Sequence, residues 1–294
     1  MGGGVYPNRA TFGIQTNQNF LTMKKLLSSA FALLAVGFAY SQANNDVSTQ
    51  VGDDNTATIN QTGWLNFNVL DQFGDDNVAT VDQDGWFNEN EALSQGNNNS
   101  IDVDQVGTWN FNTTEQYGNG NDAQTDQNGL LNEVVQLQDG NNNDTYAMQD
   151  GTGNYADQWQ EGNGNDASSE QDGNGNEVYQ DQDGNNNDAI AVQDGNLNYT
   201  HQLQVGNGNY AIHEQDGNLN YADAHQTGNN NDAIGWQDGN GNTIWQYQTG
   251  NGNTADDWQV GDGNTADITQ NGTNHYHYGT QVGNGNMMTV TQNN

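Results

Sequence analysis

Apolar and polar residues alternate along most of this chain. Thr56-Ala57-Thr58-Ile59-Asn60-Gln61 and Val78-Ala79-Thr80-Val81-Asp82-Gln83 each place one kind of residue on odd positions and the other on even positions. Strand side chains point to opposite faces with a period of two, so this alternation predicts short β-strands. A glycine follows each strand at a fixed distance. Gly52, Gly63, Gly74, Gly85 and Gly96 begin a series that recurs at every eleventh position to Gly283, without insertion or deletion. Two positions before the glycine stands Gln50, Gln61, Gln72, Gln83, Gln105, Gln116, Gln127 and so on to Gln281, with Ser94 the exception. Three positions after it stands Asn55, Asn66, Asn77, Asn88, Asn99, Asn110 and so on to Asn286, with His275 the exception.

An 11-residue period also suits a right-handed helical coiled coil. A Gly and an Asn in every unit argue against it, since both are poor in helix interiors. In the β reading, offsets 3, 5, 7 and 9 from each glycine share one face, so Asn55, Ala57, Ile59 and Gln61 point one way. Thr56, Thr58, Asn60 and Thr62 then point the other way. The Gly-x-x segment becomes the turn. A second period lies over the first. Alternate units carry Ala57, Ala79, Ala123, Ala167 and Ala189 at offset 5, while the others carry Asn68, Asn90, Asn112, Val134 and Thr200. The structural unit is therefore double the glycine period, a 22-residue coil made of two similar but unequal halves. The expected fold is all-β: a β-solenoid of about eleven strand-turn-strand-turn coils in parallel, in-register, amyloid-like stacking, about 50 Å long at the ~4.8 Å strand spacing.

Composition explains why the interior must be partly polar. Hydrophobic residues are 31% of the chain, below the roughly 45–50% (Gly included) of ordinary domains. Stacking of identical residues lets Gln and Asn form ladders in which each amide both donates and accepts. Such ladders, with Ala57, Ile59, Ala79, Val81 and Val103, supply the interior. The chain has no cysteine, so disulfides and thiolate metal sites are excluded.

The formal charge is −35, with 38 acidic residues against 3 basic ones. Arg9, Lys24 and Lys25 all precede Asp46, the first acid. Nothing after Lys25 can neutralise phosphate, so nucleic acid is not an expected partner, and cations are attracted. Two acidic columns have 22-residue spacing: Asp150, Asp172, Asp194, Asp216 and Asp238, and Asp122, Asp144, Asp166 and Asp188. The simpler reading is a solvated acidic face that keeps the chain soluble before assembly. The alternative is Ca²⁺ bridging between stacked carboxylates. No other cofactor is expected.

Met23-Lys24-Lys25 followed by the apolar run Leu26 to Tyr40 has the form of a secretory signal, with cleavage after Ser41 or Ala43. The run is short of a membrane span, so no membrane insertion is expected. The expected organisation is an upstream extension over 1–22, the signal over 23–41, a short segment over 42–49, the repeats over 50–292, and a tail at 293–294.

Gln50-Val51-Gly52-Asp53-Asp54-Asn55-Thr56-Ala57-Thr58-Ile59-Asn60-Gln61 resembles the curlin repeat, and the resemblance runs from about residue 46 to 292. It implies a subunit of curli, the functional amyloid of Gram-negative biofilms, secreted unfolded through a dedicated outer-membrane pore and polymerised outside the cell on a nucleator subunit. It also implies that the Gln and Asn columns carry assembly. The repeats here number about twice those of the familiar enterobacterial subunit, and the family's frequent Ser is not regular, which leaves major subunit, minor subunit and accessory factor open. Neither Pro nor Lys, the usual blockers of sheet edges, occurs in the repeats. With no capping segment visible in the sequence, head-to-tail growth is expected.

A soluble acidic solenoid that binds Ca²⁺, ice or polysaccharide is the alternative. Ice binding would call for a regular outward Thr array, and Thr56, Thr58 and Thr62 do not recur along the column. No nucleophile, base or phosphate loop stands out, and an enzyme is not expected. Outward Trp159, Trp236, Tyr247 and Trp258 are read as supporting strand propensity, with lateral bundling the alternative. His275 and His277 share a strand face as a candidate transition-metal pair. They fall in the unit that lost its Asn, so decay of the repeat is the better explanation.

Overall fold

The computed structural model describes residues 43–294; the extension and signal expected over 1–41 lie outside them. Among the described residues every regular element is a strand. There are two parallel sheets. One has 12 strands, from Asn45–Val51 to Met287–Asn293, and the other has 11, from Thr56–Trp64 to Tyr276–Val282. Successive strands alternate between the sheets, and each pairs with the strand two further on, one full coil along the chain, as in Gln50↔Gln72 and Gln61↔Gln83. The register holds to the last pair, Gln270↔Gln292. This is the expected β-solenoid of about eleven coils. Its first strand, Asn45–Val51, runs through most of the segment expected to precede the repeats.

The predicted faces are those observed. In Val78–Trp86 the inward residues Ala79, Val81 and Gln83 are buried, and Thr80 and Asp82 lie on the outer face. The interior is thin and chemically mixed. Leu70, Ala79, Val81, Ala92, Ile101 and Val103 form one apolar cluster, with Ala57 and Ile59 packed on it. Further along, alanines and amides replace the larger aliphatics, as at Ala147, Ala156, Gln158 and Gln160.

The turns differ in one respect from expectation. The left-handed residue of each turn stands two positions after the repeat glycine. At many turns it is not glycine: Asp54, Leu65, Phe87, Trp109 and Leu131 all have φ near 58°. A large side chain there costs roughly 1–2 kcal/mol. The backbone ladder continues through these turns (Phe87 N–H to Trp64 O, 3.0 Å; Trp109 N–H to Trp86 O, 3.0 Å) and holds the conformation in place. The repeat glycine itself serves close approach. A Cβ on Gly184 (φ 136°) would lie 2.7 Å from the carbonyl carbon of Gly206 in the next coil and closer still to its oxygen. The glycine column thus sets the coil-to-coil distance as well as marking the bend.

Candidate functional site

The Gln column of the 11-stranded sheet is a continuous side-chain ladder, and that of the 12-stranded sheet is interrupted only between Gln72 and Ser94. In the 11-stranded sheet, Gln61 Nε2 donates to Gln83 Oε1 at 2.7 Å, Gln83 to Gln105 at 2.8 Å, and Gln105 to Gln127 at 2.9 Å, and the column ends with Gln259 to Gln281 at 2.8 Å. In the 12-stranded sheet, Gln50 donates to Gln72 at 2.6 Å and Gln116 to Gln138 at 2.9 Å. Ser94 keeps part of that column by donating to Gln116 Oε1 at 3.1 Å. The second N–H of each amide crosses to the other sheet: Gln83 Nε2 reaches Phe67 O at 3.0 Å and Gln105 Nε2 reaches Glu89 O at 3.0 Å. Each Gln therefore binds the next coil and clamps the two sheets together. A net hydrogen bond contributes about 1 kcal/mol, while an unmet buried amide costs about 1–3 kcal/mol. The columns consequently penalise any register but this one.

The Asn column forms the expected side-chain ladder at some rungs, as in Asn77 to Asn55 at 3.1 Å and Asn231 to Asn209 at 3.0 Å, and adds bonds to the turn backbone. Asn55 Oδ1 accepts the backbone N–H of Asn77 at 3.0 Å, and its Nδ2 donates to Gly74 O at 2.7 Å. Asn77 repeats this with the N–H of Asn99 (3.0 Å) and Gly96 O (2.8 Å), and Asn66 and Asn88 accept from Asn88 and Asn110 at 3.0 and 3.1 Å. At the far end Asn286 donates its backbone N–H to Asn264 Oδ1 at 3.0 Å. The Asn side chain is a staple between turn backbones, which is why it sits next to the glycine turn. Two inner ladders escaped the sequence reading. One is Gln136–Gln158–Gln180–Gln202, with bonds of 3.0, 2.9 and 2.9 Å. The other is Asn68–Asn90–Asn112, at 2.7 and 2.8 Å. Their 22-residue spacing was the available signal.

The ladders have a polarity. Throughout the Gln columns Nε2 points to the following coil and Oε1 accepts from the preceding one. Among the described residues, the first coil therefore presents the acceptors of Gln50 and Gln61, and the last presents the amide N–H groups of Gln281 and Gln292. The inward residues Asn55, Ala57, Ile59 and Gln61 are only half-buried in the first coil, and Met288 and Val290 are likewise half-buried in the last. The same positions are fully buried in nearly all of the coils between.

Both predicted acidic columns are brought into register. Asp150, Asp172, Asp194, Asp216 and Asp238 occupy consecutive rungs of the 11-stranded sheet, and so do Asp122, Asp144, Asp166 and Asp188. Burial, and then the neighbouring carboxylates Asp166 and Asp122, push Asp144 up to about 6. Asp166 is raised by burial and by Asp188, and Asp188 by burial alone.

Of the predicted outward aromatics, Trp236 and Trp258 meet in adjacent coils with ring centroids 4.7 Å apart and planes tilted by 35°. Tyr155, Tyr179, Tyr199, Tyr221 and Trp245 form a further ring ladder on the 12-stranded sheet, with centroids 4.9–6.1 Å apart.

His275 and His277 do not form the paired site. His275 Nε2 is 3.1 Å from Asn271 O, and His277 turns inward to the buried Asp257 carboxylate at 3.0 Å. The one group of His and acidic residues among the described residues with metal-ligand proximity is His201, Asp223 and His225 on the 12-stranded sheet.

Segments 44–85, 96–129 and 261–293 match the family model of the curlin associated repeat. A comparison with curated proteins finds no match. The matched segments lie at both ends of the solenoid, and the coils between them repeat the same Gln, Gly and Asn columns in the same register. Over these three segments the chain carries curlin associated repeats, the repeat of structural subunits of the curli type.

Proposed function

We propose that this protein is the repeating subunit of extracellular curli-like amyloid fibres, joined head to tail in a biofilm matrix and serving surface adhesion on a Gram-negative cell. The observation that carries the reading is the polarity of the Gln ladders. One end of the described solenoid offers amide acceptors and the other offers amide donors, at the same lateral positions and with half-buried Ile59 and Val290 beside them. A second copy stacked in register would continue both ladders, complete the backbone pairing and bury those aliphatics. A contact of this head-to-tail kind repeats without closing when the coil axis is straight, and it yields a filament. Regular bare edges are the surfaces that soluble sheet proteins avoid.

A nucleator subunit and an outer-membrane secretion pore are the partners this reading implies. The strongly acidic chain stays dispersed in transit by self-repulsion. Its uncommon share of Gly, Asn and Gln keeps it unfolded until a template supplies the first rung. Length and regularity favour the major subunit.

The test is dilution of the purified chain from denaturant, followed by thioflavin fluorescence, electron microscopy and fibre diffraction. Fibres with a ~4.8 Å meridional reflection are expected. Ile59→Lys places a charge on the exposed end of the first coil and should slow elongation strongly while the far-UV spectrum of the folded coils is kept. A wild-type chain that remains a soluble monomer would defeat the proposal.

A further inference from the structure

On the outer face of the 12-stranded sheet three side chains from adjacent coils meet at a point. His201 stands on Tyr199–Asn207, and Asp223 and His225 stand on Tyr221–Asn229. His201 and Asp223 are direct register partners, and His225 lies two residues further along the same face. His201 Nδ1 is 3.1 Å from Asp223 Oδ1, His225 Nε2 is 3.1 Å from the same oxygen, and the two ring nitrogens are 3.3 Å apart. Asp223 is nearly buried, with 8% of its side chain exposed, and the histidines are about one-third exposed. The arrangement occurs once along a column that elsewhere carries unrelated residues, such as Asp157 and Tyr179 before it and Trp245 and Asp267 after it.

We propose that His201, Asp223 and His225 form a binding site for a single divalent transition-metal ion of the zinc class. Tetrahedral zinc with bonds of about 2.0–2.1 Å to nitrogen and oxygen has ligand atoms about 3.3 Å apart along each edge. The edges observed here, 3.1, 3.1 and 3.3 Å, describe one face of that tetrahedron. Two imidazoles and one carboxylate suit zinc or its neighbours, whereas Ca²⁺ takes oxygen ligands.

The surroundings support the ligands. The Tyr247 hydroxyl donates to Asp223 Oδ2 at 3.1 Å and leaves Oδ1 for the shared point; an outer hydrogen bond of this kind fixes a ligating carboxylate. The His225 ring lies edge-on to both His201 and Tyr247, with centroids 5.1 and 5.0 Å away, and this restricts its rotation. An ion here would bond two successive coils together, as a rivet through one rung of the ladder.

The experiment is titration of the untagged, assembled chain with Zn²⁺ in excess Ca²⁺, so that the acidic columns are already occupied, with Co²⁺ absorption as a second readout. One tight Zn²⁺ per chain and the intense visible bands of four-coordinate Co²⁺ are expected. His201→Gln with His225→Gln should weaken that site at least about tenfold, while His275→Gln with His277→Gln should leave it unchanged. His225→Gln alone, with its fold checked by circular dichroism, serves if the double variant does not assemble. Equal Zn²⁺ binding by wild type and the His201/His225 variants, complete displacement of Zn²⁺ by Ca²⁺, or octahedral Co²⁺ spectra would each overturn the proposal. Fibre formation without this site leaves the fibre reading intact, so the two fail separately.

Discussion

The glycine column carries a sharp prediction, because glycines with two different structural roles look alike in the sequence. Gly184→Ala introduces a methyl group 2.7 Å from the Gly206 carbonyl carbon and nearer still to its oxygen, against an ordinary contact of about 3.5–4.0 Å. The backbone cannot rotate away, since both neighbours are held in the ladder. Coils must separate locally by about 1 Å. That shift breaks the bonds of Gln182 to Gln204 (2.9 Å), Asn187 to Gly206 O (3.0 Å) and Asn185 to Asn207 (2.9 Å). At about 1 kcal/mol each they sum to about 3 kcal/mol. Alanine at φ 136° adds about 1–3 kcal/mol of backbone strain. The expected loss is about 4–6 kcal/mol. Gly153→Ala is the control. It stands at the left-handed turn position with φ 67° and nothing within 4 Å of the added Cβ. The equivalent Leu131 already tolerates that conformation, so the cost is about 1 kcal/mol. Urea unfolding of the two variants, with hydrogen exchange around residues 182–208, measures the difference. Equal midpoints for the two would refute the idea that this column sets the coil spacing.

Three further outcomes follow from the same geometry. Gln160→Leu removes the acceptor for Gln138 (3.1 Å) and the donor to Gln182 (2.9 Å) and Asp144 O (2.8 Å). It should cost about 2–4 kcal/mol in urea unfolding, whereas the outward Asp172→Asn leaves the ladders intact and should cost far less. For pH, Asp144 is raised to about 6 in the folded coil, above the unfolded carboxylate near 3.9. The folded chain thus holds a proton the unfolded chain has lost, and that stability is full below about pH 4 and lost as pH rises through 6. Asp166 and Asp188 shift the same way. Urea midpoints should rise from pH 7 to pH 5, and Asp144→Asn should flatten the rise. Finally, Ca²⁺ bridging of the acidic columns requires fibres to resist urea better in Ca²⁺ than in chelator at equal ionic strength, and Asp194→Asn with Asp216→Asn should reduce that gap; no gap leaves these columns as a solvated acidic face.

The strands, their faces and the 22-residue coil were legible because each depends on one residue's position within a strict period. Ala79, Val81 and Gln83 had to share a face once the strand period was two. The mechanism of each column was harder to read, because it depends on what the neighbouring coil presents. Asn77 looks like a ladder amide in one dimension. It is one, donating to Asn55 Oδ1, but only the adjoining turn shows that its Oδ1 also serves a backbone N–H and its Nδ2 a glycine carbonyl. The His201–Asp223–His225 group was similarly hidden. Residues 201 and 223 are one coil apart, but the two histidines are offset by a coil and two further positions, a spacing that means nothing until the diagonal neighbour on a stacked face is considered.

The same dependence on neighbours explains where the repeat is allowed to fail. Along one inward column of the 11-stranded sheet the residues run Ala191, His213, Gly235, Asp257, Gly279. A large polar group alternates with glycine. His213 is wholly buried and held neutral, its pKa lowered to about 4 by burial, and it meets Gln246 at 3.3 Å. A Cβ on Gly235 would come within 2.6 Å of its ring. Asp257 is buried, accepts from Gln246 at 2.9 Å and meets His277 at 3.0 Å, and Gly279 leaves it room. In a globular core such a side chain would need its own cavity. In a solenoid the coil above or below can give up volume, so substitutions are compensated one rung away rather than within the rung. Departures from the pattern should therefore come in pairs one full coil apart, and Gly235→Ala should destabilise the coil with His213 present and be tolerated in His213→Ala.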